Sequence, residues 1–248
     1  MKSNNQLKNY DKLALVYEHL MRRIDYQTWA KYVFSIVKTS LNSNARVLEI
    51  AAGNCKFGNY FIKYFPFLTV TDLSLSMLKS CSGAISNRVC CDMTLLPFKN
   101  KFDLIYSTFD SVNYLTSKKK LLAMFKQVSN LLTTGGIFTF DASLERNSYI
   151  HIKQPYRKGA YKGINFEQKS EYNSKSRIHK NIFSITYNGI SHVEIHRQKI
   201  YPFEDYFELL NTAGLYVKDC FNAFTYDPGR PDSERVQFII KRKSNVSL

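Results

Sequence analysis

VLEIAAGNCKFG, residues 47–58, is the stretch whose reading decides the fold. Val47, Leu48 and Ile50 make a short apolar run, continuous enough for a strand buried on both faces. Ala51-Ala52-Gly53-Asn54 then reads as a loop, and residues 56–64 as a helix ended by Pro66. A strand, a glycine loop and a helix in this order form the turn by which nucleotide-binding folds bring backbone close to a ligand. Two positions where such a loop usually carries glycine hold Ala51 and Cys55. An alanine fits at position 51 if the backbone there keeps a negative φ. Cys55 has no such simple reading.

Working outward, strand and helix keep alternating. Residues 10–38 carry apolar positions at helical spacing (Leu13, Tyr17, Leu20, then Trp29, Tyr32, Val33, Ile36) and read as one or two helices. Strands are expected at Arg46–Ile50, Leu68–Leu73, Arg88–Asp92, Phe102–Ser107 and Ile137–Asp141. Between them Leu75–Ala84, with Ser74 as N-cap, and Lys118–Leu132, stopped by Gly135-Gly136, read as helices. Five such alternations give an α/β fold, a doubly wound, mainly parallel Rossmann-like sheet. Its ligands bind beyond the carboxyl ends of the strands.

After Asp141 the period changes to two. Phe166–Tyr172, Ile182–Asn188 and Ser191–Tyr201 read as antiparallel strands, with Asn188-Gly189 as a hairpin turn. Phe203–Ala213 is a helix, opened by Pro202 and closed by Gly214, and Leu215–Cys220 and Val236–Lys241 are two more strands. The expected organisation is residues 1–145 as N-terminal helices and cofactor core, 146–201 as an inserted antiparallel β cap, and 202–248 completing the core sheet.

Composition narrows the class of protein. The chain has 248 residues, 44% of them hydrophobic and 15% aromatic, enough for a buried core and unlike a disordered chain. No run approaches the ~20 apolar residues of a membrane span, and MKSNNQLKNYDK lacks the apolar core of a secretory signal. The expected location is cytoplasmic. The five cysteines make no CxxC pair and no metal-ligand spacing with histidine, so reduced thiols and no metal are expected. The net charge of +15 admits nucleic acid, an acidic lipid surface or an anionic small molecule, and chooses none of them.

The acids that end the strands carry more information. Glu49 closes the first strand, Asp72 the second, 19 residues after Gly53, and Asp92 the third. A dinucleotide site also uses a glycine loop and an acid about 20 residues on, but its pyrophosphate needs several glycines. Here only Gly53 and Gly58 remain. A cofactor with ribose and adenine but no phosphate asks less of the loop, and S-adenosylmethionine is one. Its ribose hydroxyls and its adenine amine each need an acceptor, which Asp72 and Asp92 can supply.

The series VLEIAAGNCKFG, VTDLSLSML, CCDMTLLPF, FDLIYSTFDSVNYL and LLTTGGIFTFD resembles the class I S-adenosylmethionine-dependent methyltransferases, in order and at normal spacing over residues 10–141. YDKLALVYEHL and HRQKIYPFEDYFELLNTAGL resemble the leader helix and closing elements of the small-molecule branch. The resemblance implies that Glu49, Ala51 and Gly53 lie against the methionine part of the cofactor. It implies that Asp72 holds the ribose, that Leu73 and Met77 flank the adenine, and that Asp92 and Met93 meet it. Thr108 and Phe109 would back the sulfonium, and Tyr17 would close over the cofactor. Each has a structural rival: a turn or cap for the two aspartates, a loop-amide acceptor for Glu49, a core aromatic for Tyr17.

The chemistry implied is in-line methyl transfer to a small-molecule amine or hydroxyl. The loop Phe109-Asp110-Ser111-Val112-Asn113-Tyr114 faces the site after the fourth strand and is not of the NPPY or DPPY type. Asn113, Tyr114 and His196 are the candidate catalytic residues; His192 and His196 share a strand face. Residues 146–180 hold nine Lys or Arg against two acids, with Tyr149, Tyr156, Tyr161 and Tyr172 among them. Such a surface suits an anionic metabolite, or alternatively RNA, whose methylation is the second reading. A third is a cofactor-binding partner subunit without chemistry. Either a monomer or a homodimer is compatible with the sequence.

Overall fold

The computed structural model describes residues 10–243. Residues 1–9, most of the stretch read above as lacking a secretory signal, and residues 244–248 lie outside the described residues. Two helices lead, α1 (Ala14–Leu20) and α2 (Tyr26–Val37). Then come β1 (Val47–Ile50), α3 (Lys56–Phe61), β2 (Leu68–Asp72), α4 (Leu75–Lys79), β3 (Asn87–Cys90) and β4 (Phe102–Ser107). Next are α5 (Lys118–Leu131), β5 (Leu132–Ser143) and α6 (Glu145–Lys153). The cap strands are β6 (Tyr156–Tyr161), β7 (Ile164–Asn173), β8 (Ile178–Tyr187) and β9 (Ile190–Lys199). The chain closes with α7 (Phe203–Thr212), β10 (Leu215–Asn222) and β11 (Arg235–Arg242).

Seven strands form one sheet in the order β10-β11-β5-β4-β1-β2-β3. The first five strands are mutually parallel, and β11 runs antiparallel beside β5 with Phe238 opposite Phe140. The expected doubly wound sheet is therefore present. The winding reverses between β1 and β4, and the crevice that this reversal opens is where such sheets take ligands. Alternate residues of each strand serve opposite faces. Leu48 and Ile105 pack with Phe125, Phe138 and Tyr206 on the α5/α7 side. Val47, Leu104 and Tyr106 pack with Trp29, Phe57 and Phe61 on the α2/α3 side.

The expected cap is a separate four-stranded antiparallel sheet in the order β6-β7-β8-β9. Asn188 and Gly189 both hold positive φ, 50° and 74°, as the β8–β9 hairpin turn requires. Leu13, Val16 and Leu20 pack against Ile164, Phe166, Phe183 and Ile185, so the leader helix belongs to the cap rather than to the core sheet. Three local expectations are corrected. Helix α5 ends at Leu131 because Leu132 is already extended, three residues before Gly135-Gly136. Helix α6 and strand β6 stand where no element was expected. Cys55 and Cys81 pair as a disulfide, with Cα atoms 5.3 Å apart, where reduced thiols were expected.

Candidate active site

The loop after β1 explains its own sequence. Ala51, Gly53 and Cys55 all take left-handed φ, at 57°, 57° and 60°. The negative φ expected at Ala51 is thus corrected: the alanine sits where glycine would be relaxed, at a cost of about 1–2 kcal/mol. Three hydrogen bonds hold the turn: the Ala52 amide donates to Thr71 O (2.8 Å), the Cys55 amide to Ala52 O (2.9 Å), and the Gly53 amide to Asp72 Oδ2 (2.8 Å). A side chain at Gly53 would start 3.2 Å from Met77 Cε, so the backbone lies directly on α4. Cys55 caps α3 in the left-handed conformation, and its disulfide ties that cap to the end of α4.

Asp72 ends β2 with each oxygen engaged, Oδ2 by Gly53 and Oδ1 by the Ser74 amide at 2.7 Å. Burial pushes its pKa above the ordinary 3.8, and these amides oppose the shift. Asp92 makes the tight turn that was its rival reading, with Oδ1 accepting from the amide and hydroxyl of Thr94, each at 2.8 Å. Both aspartates still face the crevice, together with Leu73, Met77 and Met93. Thr108 and Phe109 follow β4 on its other wall, and Tyr17 lines it from α1. Phe109 and Asp110 are consecutive left-handed residues, at 61° and 45°. Phe109 is held against Trp29, with centroids 4.2 Å apart. Asp110 is held by Ser143 Oγ (2.6 Å) and by Arg235, which also pairs with Asp141. Burial raises Asp141 to about 6, with Arg235 opposing.

Two expected site residues lie elsewhere. Glu49 points under the helix start: its Oε2 accepts from Tyr106 Oη at 3.0 Å and would lie 2.6 Å from a Cβ on Gly58. It is 1% exposed and absent from the crevice wall, because β1 turns this face towards α3. Burial raises its pKa to about 8, against the Tyr106 hydrogen bond. Asn113 is wholly buried. Its Nδ2 donates to Lys199 O (2.8 Å), Ser143 O and Tyr206 Oη, and its Oδ1 accepts from the Ser143 amide (3.1 Å). It fastens the loop after β4 to β5 and β9.

The other two meet. Tyr114 Oη lies 3.1 Å from His196 Nδ1, and His196 Nε2 lies 3.2 Å from Glu194 Oε2. Tyr10 Oη, from the leader, lies 2.7 Å from Tyr114 Oη. Neither Tyr10 nor Glu194 was picked out by the sequence reading, although Glu194, His196 and Gln198 alternate on one face of β9. The whole crevice encloses about 1000 Å³ and continues from the β1–β4 switch to the cap. The cap wall carries Gln168, Asn181, Gln198 and His179. Burial lowers the His179 pKa to about 4, so its imidazole is neutral there at pH 7. Of the nine basic residues at 146–180, only Arg157 lines the crevice.

Residues 47–136 match the family model described as a methyltransferase domain. "Putative methyltransferase YqeM" of Bacillus subtilis (strain 168) is 27% identical over 252 residues, covering 96% of this chain and 98% of its own length. An S-adenosylmethionine-dependent methyltransferase from Clostridium acetobutylicum ATCC 824 superposes with a TM-score of 0.77 at 22% identity, covering 96% of this chain and all of that one. The sugar N-methyltransferase KedS8 from Streptoalloteichus sp. ATCC 53650 superposes at 0.73 with 16% identity, over 94% and 93%. The fold is a doubly wound α/β sheet with a crevice at its switch point, the place where such sheets take ligands. With the family match inside that frame, residues 47–136 carry a methyltransferase domain, and the chain as a whole has the fold of class I S-adenosylmethionine-dependent methyltransferases.

Proposed function

We propose that the enzyme transfers the methyl group to a nitrogen or oxygen of a small polar molecule held between the core sheet and the cap. One observation carries this reading: a single cavity is lined at one end by Gly53, Asp72 and Met77 and at the other by Gln168, His196 and Gln198. Asp72 fits the ribose diol, since loop amides fix its carboxylate at the crevice. Ala51 and Gly53 fit the methionine part, Leu73 and Met77 the faces of the adenine, and Asp92 and Met93 its edge. Thr108 and Phe109 would back the sulfonium, and Tyr17 would close over the cofactor. The cofactor supplies an electrophilic methyl on a positively charged sulfur.

The chain's own contribution is alignment and deprotonation. Holding acceptor and methyl in line is worth up to about 7–11 kcal/mol in ideal cases. An ammonium or hydroxyl must lose its proton before its lone pair can attack. Tyr114 and His196, which line the crevice together with Tyr10, are the candidates to take up that proton. The amides of Gln168, Asn181 and Gln198 and the neutral His179 imidazole on the cap wall, with Arg157 the one cation there among 146–180, favour an acceptor with several hydroxyl or amide groups over a strongly anionic one. Calorimetry tests the cofactor half: S-adenosylhomocysteine binds the wild type, and Asp72→Ala weakens it at least tenfold. A trideuteromethyl-labelled cofactor in a cell extract tests the acceptor half, through a mass-shifted small molecule. Label found only in RNA would overturn the small-molecule assignment.

A further inference from the structure

Glu194 is a fully buried carboxylate on β9 whose surroundings set the direction of every hydrogen bond beyond it. Its Oε2 accepts from the Tyr10 amide at 2.8 Å and faces His196 Nε2 at 3.2 Å. Its Oε1 accepts from the amides of Lys12 and Leu13, at 2.5 and 2.9 Å. Main-chain N–H groups can only donate, and three of them on two oxygens favour the ionised carboxylate. Burial opposes that ionisation, but the His196 and amide bonds outweigh it and bring the pKa below the ordinary 4.5. His196 Nε2 must then carry a hydrogen, and whenever the ring holds only that one its Nδ1 is an acceptor. Tyr114 donates its one hydrogen to Nδ1, and Tyr10 in turn donates to Tyr114. The lone pairs left on Tyr10 Oη are acceptors, and Tyr10 lines the crevice.

From this polarity we infer that Tyr10 is the outer, proton-accepting end of a relay through Tyr114 to His196, and that Glu194 assembles the relay only when the leader is docked. The inference rests on the methyltransferase reading above. As the acceptor's N–H or O–H proton passes to Tyr10 Oη, the Tyr10 proton moves to Tyr114 Oη and the Tyr114 proton to His196 Nδ1. The acceptor loses one proton, both tyrosines end as they began, and the imidazole becomes an imidazolium beside the Glu194 carboxylate. Burial pushes both tyrosine hydroxyls far above their ordinary value of 10, so neither rests as a phenolate and the proton is stored on the ring. The acceptor's lone pair would then be free for the methyl group that the bound cofactor would supply, and the imidazolium later returns its proton to water. Glu194 is a positioning residue in this scheme. The same carboxylate orients the imidazole and receives the Tyr10, Lys12 and Leu13 amides, so relay and closed leader form together.

The test uses full-length protein with ¹⁵N-labelled histidine, saturated with S-adenosylhomocysteine. Nuclear magnetic resonance should find His196, assigned through His196→Gln, protonated on Nε2 and bare on Nδ1. Tyr114→Phe should keep that tautomer, and Glu194→Gln should lose it. Hydrogen exchange at the Tyr10, Lys12 and Leu13 amides should speed up in Glu194→Gln and stay slow in Tyr114→Phe. Tyr10→Phe should bind S-adenosylhomocysteine within threefold of wild type yet transfer label into the extract's small molecules about 100-fold or more slowly, the usual weight of a positioned base. A proton on Nδ1, leader amides indifferent to Glu194, or undiminished transfer by Tyr10→Phe would overturn the relay. Wild type that binds no S-adenosylhomocysteine would overturn the proposed function instead.

Discussion

Replacing Glu49 with glutamine should make the protein more stable, by an amount that grows with pH. The side chain is buried, its Oε1 has no hydrogen-bond partner among the described residues, and its pKa rises from 4.5 to about 8. Below pH 4.5 the acid is neutral in both folded and unfolded chains and contributes no difference. Between 4.5 and 8 the unfolded chain ionises while the folded one keeps its proton, so the folded state loses stability as pH rises. At about 1.4 kcal/mol per pH unit, the loss reaches about 2 kcal/mol at pH 6 and at most about 5 at pH 8. Glutamine keeps an acceptor for Tyr106 and has no proton to lose. Urea unfolding of wild type and Glu49→Gln at pH 5, 6.5 and 8 reads the difference. A gap that is the same at all three values, or a variant less stable at pH 8, refutes the reasoning. Because Glu49 lies off the crevice wall, the variant should also bind S-adenosylhomocysteine within a few-fold of wild type.

Three further substitutions or treatments bear on the same region. Ala51→Gly should stabilise the protein by about 1 kcal/mol in urea unfolding, since relief at φ 57° exceeds the entropy glycine adds to the unfolded chain. Gly58→Ala should destabilise it by about 1–3 kcal/mol, because the new methyl would meet Glu49 Oε2 at 2.6 Å and Ile85 Cδ1 at 2.8 Å in a packed core. Alkylation under denaturing conditions, followed by mass spectrometry, should label Cys90, Cys91 and Cys220 before reduction and Cys55 and Cys81 only afterwards.

The core sheet was legible because each of its strands is a short apolar run with a distinctive ending, such as the loop after Ile50, the acids Asp72 and Asp92, or the turn after Ser107. The cap hairpins were legible from their alternation and from Asn188-Gly189. Strand β6 was not, because YRKGAY has exposed basic and small residues where a buried face would show. The 26-residue spacing of the disulfide carries no local mark. At the site, Asp72 stands out because it ends a strand at a fixed distance from Gly53. Glu49 and Asn113 look equally chemical in one dimension, and only packing shows that each serves its own neighbours. Glu194 fails the opposite way: an acid on an alternating strand reads as solvent-facing until three amides from a segment 181 to 184 residues away are placed on it.

The docking of α1 on the cap bears on how such an enzyme acquires a new substrate. The family match spans residues 47–136, the stretch that builds the core strands β1 to β4 and their helices. The cap lies wholly outside that stretch, and so does the leader that packs on it. A chimera that imported a foreign cap alone would leave Leu13, Val16 and Leu20 facing the wrong surface and the leader amides without Glu194. Residues 10–20 and the cap would have to travel as one hereditary unit, though the codons of the whole parallel core separate them. A change of acceptor would then leave a paired trace, with exchanges on both flanks of the gene around an unaltered middle.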